Sequence, residues 1–270
     1  MPARPITLLT AAMVTTEILG LAASAMVAGA INAVAGGGTL LTFPTLLFFG
    51  TPAKVANATS TLALTLGTAG SVFGYRRHFE PIRCWLWRFV PVSIAGGLAG
   101  SILLTHTGDT TFDKLVPFLI LFATILFVAR GVFARVAGLG DRREGAPHHT
   151  ILGAIAFQFA VAVYGGYFGA GIGILMLASL GFIGLGNIHE MNTLKTVLSS
   201  LINLVASLWF IGAGLIAWPK AAVMTAGALA GYFLGAHYSQ RIPERRVRQI
   251  ITSIGFVLSA ITFYKEFIGR

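Results

Sequence analysis

The stretch that decides the fold is GAINAVAGGGTLLTFPTLLFFG, residues 29–50. In it, one apolar run passes into a second across three consecutive glycines, Gly36, Gly37 and Gly38. The second run is short, so as a helix it would extend only about 20 Å, less than the ~30 Å hydrocarbon core of a bilayer. A broken apolar segment of this kind is typical of helices that stop inside a membrane.

The composition around this stretch is that of a membrane protein. Of the 270 residues, 56% are hydrophobic and only 10% are charged, which is too little charge for the surface of a soluble domain. Apolar runs long enough to cross a bilayer recur along the chain and lack the alternation of barrel strands. The sequence therefore predicts an all-α, polytopic integral membrane protein. Arg4 and the next apolar residues loosely resemble a signal peptide, but Thr15, Thr16 and Glu17 interrupt them, so we expect a retained first helix.

The chain contains an internal repeat with a constant offset. Subtracting 36 from 171, or 100 from 235, gives 135 residues in each case. The residues that recur in this register are Gly36, Gly38, Asn57, Gly96 and Gly100, which return as Gly171, Gly173, Asn192, Gly231 and Gly235. Glycines that merely pack membrane helices are the alternative, although packing does not explain the shared Asn. We predict a first transmembrane repeat over 1–135, a cytoplasmic connector over 136–149 and a second repeat over 150–270.

Each half is predicted to hold four full-length helices and one short helix, at about 39–50 and 174–186. The chain would then have about eight transmembrane helices plus two short broken ones. The loop after the third element is basic in the first half, and the loop after the fourth is basic in the second half. The arginines concerned are Arg76, Arg77 and Arg83, then Arg241, Arg245, Arg246 and Arg248. Cytoplasmic loops are enriched in arginine, so this exchange of basic loops between the halves favours inverted repeats with both termini outside. Parallel repeats remain the alternative.

The glycine-rich breaks are the main functional signal. A helix that begins after such a break directs unpaired N–H groups and the positive end of its dipole at one point, where an anion can bind. Two breaks, one per half, are expected to meet near the bilayer middle. The candidate substrate-binding residues in them are Gly36, Gly37, Gly38, Gly171 and Gly173. The alternative is a pair of packing joints made by glycines.

The second signal is the polar start of the helix after each short piece. It contains Asn57, Thr59 and Ser60 in the first half, and Asn192 and Lys195 in the second. Asn is a good N-cap, so plain helix capping is the alternative, but capping does not explain Lys195. An ionisable residue in an apolar span is a functional hypothesis by default. Lys195 could supply charge to an anion or titrate in proton coupling, or it could extend to the interface without a specific role.

Glu17, inside the first apolar run, is the other candidate for proton coupling; the alternative is a buried, hydrogen-bonded carboxylate. The sequence contains no H-E-x-x-H, G-x-x-x-x-G-K-[ST] or G-x-S-x-G motif. Cys84 is the only cysteine, and the glycine-rich elements hold no carboxylate or histidine to bind a metal. We therefore expect no enzymatic activity, no cofactor and no metal.

The segments that contain the breaks resemble the signatures of the TauE/SafE family of sulfite exporters. Residues 29–47 are similar to that family's first signature, and PAKVANATS, residues 52–60, looks like the stretch that follows it. Residues 164–173 together with the Asn-x-x-Lys element at 192–195 resemble the second signature. The resemblance covers roughly residues 10–267.

The resemblance implies a transporter of the bacterial inner membrane, because members of the family are associated with sulfite, sulfonates and other sulfur-containing anions. It makes the paired breaks and their polar neighbours the candidate anion site. One departure concerns the second break, where Ala170 and Ile172 replace a denser glycine run. That loop is therefore expected to make fewer backbone contacts with the ligand.

The sequence thus predicts a secondary transporter that exports sulfite or an organosulfonate, driven by an ion gradient and working by alternating access at a midplane site. A channel-like anion pore and a membrane subunit that hands a sulfur compound to a partner enzyme are the alternatives. The expected partners are the anion and the lipid bilayer, with protons and a second copy of the chain as further hypotheses. Nucleic acid is not expected, because the basic residues lie in short clusters between apolar runs.

Overall fold

The computed structural model describes residues 15–34, 37–74, 80, 82–138, 148–182, 188–238, 244–264 and 267. Within these residues the protein consists of ten α-helices and has no strand. The helices are α1 (Thr15–Val34), α2 (Thr39–Phe48), α3 (Ala53–Gly74), α4 (Arg83–His106), α5 (Asp109–Gly138), α6 (His148–Tyr167), α7 (Ile172–Phe182), α8 (Ile188–Gly212), α9 (Trp218–Tyr238) and α10 (Glu244–Phe263). The prediction of an all-α protein is confirmed.

The described helices are apolar enough for a bilayer. Four of them contain windows that are long and apolar enough to cross a membrane: Thr15–Asn32, Arg83–His106, Asp109–Ala129 and Glu190–Gly212. Three shorter apolar helical segments accompany them: Thr39–Phe48, Leu152–Tyr167 and Thr252–Phe263. Large hydrophobic side chains such as Leu19, Leu152 and Phe233 are exposed on the outside of the bundle. Lipid is the solvent that this surface fits.

Two helices, α2 and α7, are much shorter than the rest. They have 10 and 11 residues, whereas the other helices have 20 to 30. Each follows a break in which glycine adopts a positive φ: 97° at Gly37, 80° at Gly169 and 81° at Gly171. Residues with a side chain rarely adopt this conformation, so the glycines allow one helix to stop and another to begin at once.

Polar contacts identify one end of the bundle. The Lys220 ammonium lies 2.6 Å from the Glu17 carboxylate and donates to the Thr51 hydroxyl, 3.0 Å away. Close to Thr51 along the chain, Lys54 forms a 2.9 Å ion pair with Asp109. Helices α1, α3, α5 and α9 therefore start at this end, which we call the Glu17 end. The opposite end, where α4 begins, is called the Arg83 end.

Helices at equivalent places in the two halves run antiparallel. The hydroxyl oxygens of Thr65 in α3 and Ser207 in α8 lie 3.1 Å apart. Thr59, closer to the start of α3, accepts a hydrogen bond from the Ala217 amide, which lies beyond the end of α8. Helices α3 and α8 are therefore antiparallel.

Helices α5 and α10 show the same relation. The Ser259 hydroxyl donates to the Pro117 carbonyl at 3.3 Å, while Gly255, one turn earlier in α10, lies against Thr124. The helix starts also repeat, because subtracting 53 from 188, 83 from 218 or 109 from 244 gives 135 each time.

Close packing at glycines joins the halves. Helix α1 packs against α9, and its equivalent α6 packs against α4. A side chain added at Gly231 would strike the Met26 carbonyl, and one added at Gly100 would strike the Val163 carbonyl. Gly96 likewise lies against Ala162. These three glycines thus allow helices of the two halves to pack closely.

Candidate substrate site at the two helix breaks

Both helix breaks reach the same part of α5. Gly37 lies against the ring of Phe127, and Gly171 lies against Ala123 and Leu126. Helix α5 has 30 residues, about 45 Å in length, and these three residues are near its midpoint. The structure thus brings the two breaks together in the central part of the bundle, with the N-termini of α2 and α7 beside them.

The first break is closed by its own hydrogen bonds. Gly38, the residue before α2, donates its amide hydrogen to the Asn32 side-chain oxygen at 2.7 Å. A Cβ at Gly38 would lie 2.6 Å from the Ala28 carbonyl oxygen, so the backbones of α1 and the break are in direct contact. One turn into α2, the Thr42 and Ser60 hydroxyls are 2.6 Å apart. This break therefore uses its polar groups to fix α2 against α1 and α3.

The second break has a cationic side chain beside it. Gly173 lies in the first turn of α7, and a Cβ placed there would be 3.4 Å from Cδ of Lys195. The Lys195 ammonium donates to the Asn192 side-chain oxygen at 3.1 Å. The aliphatic part of Lys195 thus packs over the start of α7 with its charge next to the helix N-terminus. Gly173 was predicted to belong to the break itself, but α7 begins one residue before it.

Asn57 connects the two halves. Its side-chain amide donates to the Tyr167 carbonyl, the last one of α6, at 2.9 Å, and the residue is completely buried. Helix α3 begins at Ala53, so Asn57 lies in the second turn and is not an N-cap. Asn192 lies equally far inside α8. The capping interpretation of both residues is therefore wrong.

Three other candidates are bonded to partners within the protein. Thr59 is buried and accepts the Ala217 amide hydrogen at 3.0 Å, so it fixes the start of α9. Ser60 is bonded to Thr42, as described above. Glu17 pairs with Lys220 at the Glu17 end, whereas Lys195 is in the second turn of α8, which begins at the Arg83 end. The two residues proposed for proton coupling are therefore apart. Gly36 lies outside the described residues.

Two aromatic residues that were not among the predicted site residues support the second break. The Tyr164 hydroxyl donates to the Ala170 carbonyl at 2.8 Å, and its ring packs edge-on against Phe122. Phe168 packs edge-on against Phe43 of α2, with ring centroids 5.2 Å apart. No spacing rule points to these residues, because each partner is distant in the chain or belongs to a loop. Within the described residues, no group of three or more His, Cys, Asp or Glu side chains is placed to bind a metal ion.

Comparison with known proteins decides the family. The model of the family described as "Sulfite exporter TauE/SafE" matches residues 21–262. This chain belongs to the TauE/SafE family. The predicted family resemblance is thereby confirmed, and the chain is an integral membrane protein of a family of transporters.

The TauE/SafE relatives are similar over nearly their whole length. A probable membrane transporter protein of Haemophilus influenzae is 29% identical over 242 residues, covering 89% of this chain and 92% of the relative. The probable membrane transporter protein YfcA of Escherichia coli K12 is 28% identical, covering 89% and 87%. The probable membrane transporter protein ORF9 of a Sinorhizobium species is 22% identical, covering 87% and 88%. No solved structure gives a significant match.

Proposed function

We propose that this TauE/SafE protein is a secondary carrier that moves sulfite or an organosulfonate across the bacterial inner membrane by alternating access. The observation that carries the proposal is the meeting of the two breaks at the middle of α5. Two helix N-termini, those of α2 and α7, lie there with their positive dipole ends. Such termini bind anions through backbone N–H groups, and family membership supports transport of a sulfur oxyanion.

The proposed binding mode is asymmetric. The anion lies against the start of α7, at Gly171 and Gly173, and Lys195 supplies the positive charge. Asn192 positions the Lys195 ammonium through their hydrogen bond. On the α2 side, Gly37 and Gly38 form the facing wall. Asn57, Thr59 and Ser60 keep the helices around the site in register through the hydrogen bonds of the Asn57 amide nitrogen and of the two hydroxyls, while the Asn57 side-chain oxygen is buried without a hydrogen-bond partner among the described residues.

The proposed architecture is an inverted repeat of residues 1–135 and 150–270. Two pairs of equivalent helices, α3 with α8 and α5 with α10, are antiparallel, as opposite orientation in the membrane requires. Arginines cluster in the helix termini at one end, the Arg83 end. These are Arg83, Arg88, Arg130, Arg135, Arg245, Arg246 and Arg248. The positive-inside rule assigns this end to the cytoplasm.

Labelling of the single native cysteine tests this orientation. Cys84 is exposed at the second residue of α4, at the Arg83 end. A membrane-impermeant maleimide should label it in inside-out vesicles and not in spheroplasts. The matched control is Ala213→Cys in a Cys84→Ser background, because residue 213 is exposed in the α8–α9 turn at the Glu17 end. The opposite labelling pattern for the two cysteines would overturn the assignment.

Flux of radiolabelled sulfite into liposomes tests the carrier itself. We expect saturable flux from the wild type. Lys195→Met keeps a side chain over Gly173 but removes the charge, and it should lower flux about tenfold or more, since a charged hydrogen bond contributes roughly 1.5–3 kcal/mol. Lys195→Arg should retain part of the flux. Lys114→Met, at an exposed position in the first turns of α5, is the control and should not change it.

The same vesicles separate the alternatives. Flux that does not saturate would favour the anion pore, and absence of flux with sulfite, sulfonates and thiosulfate would reject the carrier. An imposed pH gradient tests proton coupling, for which Lys195 is the candidate at the proposed site. Transport by a Cys84→Ser variant at the wild-type rate would exclude a mechanism in which the Cys84 thiol transfers sulfur to a partner enzyme. We propose no enzymatic role for this chain.

A further inference from the structure

Lys220 joins the two halves of the protein at the Glu17 end. It belongs to α9, in the second half, and its ammonium has three acceptors in the first half. These are the Glu17 carboxylate at 2.6 Å, the Thr51 hydroxyl at 3.0 Å and the Phe49 carbonyl at 3.3 Å. An ammonium has three N–H donors, so the three contacts use all of them. We call this group of four residues the Lys220 latch.

The latch is sheltered from water. The side chains of Lys220 and Glu17 are only 20% and 16% exposed. Ion pairs with this little exposure are screened less than surface pairs, and removal of one partner leaves a charge without compensation. Close by, the buried Thr59 hydroxyl accepts the Ala217 amide hydrogen, which is another bond between the halves. At the Glu17 end, directional polar bonds thus join the two halves.

At the Arg83 end, the described residues at the equivalent positions make contacts of a different kind. Shifting by the repeat offset of 135 places Trp85 at the position of Lys220, Leu152 at that of Glu17 and Leu194 at that of Thr59. Leu194 is buried in an apolar cluster, and Trp85 packs against the same cluster. Apolar contacts have no preferred direction and can slide past one another, whereas the latch must be either formed or broken.

Helix α2 connects the latch to the central site. It starts after Gly38, at the proposed anion site, and ends at Phe48. The next residue, Phe49, supplies the carbonyl that accepts from Lys220 in the latch. Between Phe49 and Thr51 lies Gly50, with a φ of 72° and open space around it. Helix α2, about 15 Å long with Pro44 inside it, is therefore the element that joins the site to two of the acceptors of Lys220.

We propose that the Lys220 latch is the gate that closes the substrate site toward the Glu17 end, and that its opening is coupled to the anion through α2. The proposal rests on the alternating-access function proposed above. Lys220, Glu17 and Thr51 are positioning residues in it, because they act on access to the site without contacting the anion.

Thiol accessibility tests the latch without any substrate. The reporter is Asn203→Cys in a Cys84→Ser background, since the Asn203 side chain lies close to Gly169 of the second break. A membrane-impermeant maleimide is applied from the Glu17 side of oriented vesicles. We expect Lys220→Met to raise the labelling rate about fivefold or more, because the open fraction of the carrier increases. Glu17→Gln should raise it less, since an amide can still accept a hydrogen bond.

The matched control is Lys54→Met. Lys54 also pairs with a carboxylate at the Glu17 end, but its partner Asp109 belongs to the same half. Its loss should leave the labelling rate within about twofold of the parent, because no contact between the halves is removed. A charge-reversed pair, Glu17→Lys with Lys220→Glu, should return the rate toward the parent value.

Unchanged labelling in both Lys220→Met and Glu17→Gln would overturn the latch, as would an equal increase in Lys54→Met. If Lys220→Met does not give a monodisperse protein, Glu17→Gln and Thr51→Val decide the question by the same readout. The outcome is independent of the sulfite assay: a latch response without sulfite flux would reject the substrate and keep the gate. Sulfite flux without a latch response would keep the carrier and reject the gate.

Discussion

The two helix breaks occupy equivalent places in the two halves, but they use their polar groups differently. At the first break, the Gly38 amide is bonded to Asn32, and Thr42 is bonded to Ser60. At the second, Leu177 and Lys195 stand where the repeat places Thr42 and Ser60. The comparison shows that one copy of a repeated element can become a joint while the other acquires a charge. In a carrier with a single anion site, we expect the second copy to bind and the first to support it.

The largest expected difference between the breaks comes from an added methyl group. Gly38→Ala would place Cβ 2.6 Å from the Ala28 carbonyl oxygen, whereas Gly173→Ala would meet only the flexible side chain of Lys195 at 3.4 Å. We expect Gly38→Ala to lower the free energy of unfolding by about 3 kcal/mol, as overpacking against backbone does. Gly173→Ala should fold normally and weaken anion binding. Thermal unfolding in detergent and sulfite binding to the same samples check both; equal stability of the two variants would contradict this comparison.

The paired asparagines should give the next largest difference. Asn57→Ala leaves the buried Tyr167 carbonyl without its donor, and we expect a loss of about 1–3 kcal/mol in unfolding free energy. Asn192→Ala removes an acceptor from Lys195 and should leave stability nearly unchanged while raising the KM for transport. Unfolding curves and concentration-dependent flux separate the two effects. A KM effect in Asn57→Ala without a stability loss would reverse their assigned roles.

The smallest effect should come from the hydroxyl pair of the first break. Ser60→Ala removes the 2.6 Å hydrogen bond to Thr42 and should cost about 1 kcal/mol. Thr42→Val also removes the 3.3 Å bond to the Gly38 carbonyl and should cost somewhat more. The double variant should cost little more than Thr42→Val alone, because that change already removes the bond to Ser60. Additive losses in thermal unfolding would show that Thr42 and Ser60 act separately and that Ser60 has a further partner.

Much of the helical pattern could be predicted from hydropathy and glycine content. The first short helix was expected at about 39–50 and is found at Thr39–Phe48, because a glycine of positive φ precedes it and defines its start. The start of α3 was not predictable in the same way. Asn57 was weighed as a helix cap, but the helix begins four residues earlier, at Ala53. The capping preference of Asn is local and weak, and it does not fix where a helix begins.

The candidate site was predicted less completely. Lys195 and the breaks could be selected because a charge or a glycine run is unusual in an apolar span. Lys220 could not be selected as a latch, since its three acceptors in the first half are remote in sequence. Thr59 and Ser60 were expected to face the substrate but are bonded to Ala217 and Thr42. The sequence alone does not show which tertiary neighbour a polar side chain in a helix will contact.

The sequence by itself determined that the chain is helical and that it resides in a membrane, and it predicted a repeat with an offset of 135 and a break in each half. These features depend on local properties: the hydropathy of a run, and the freedom of glycine to adopt a positive φ. Only the tertiary structure decided which polar groups are used within the protein. The Asn57 amide nitrogen and Glu17 have partners from helices far along the chain, and Ser60 has one from the preceding helix. In an apolar environment burial of a polar group is costly unless packing brings it a partner.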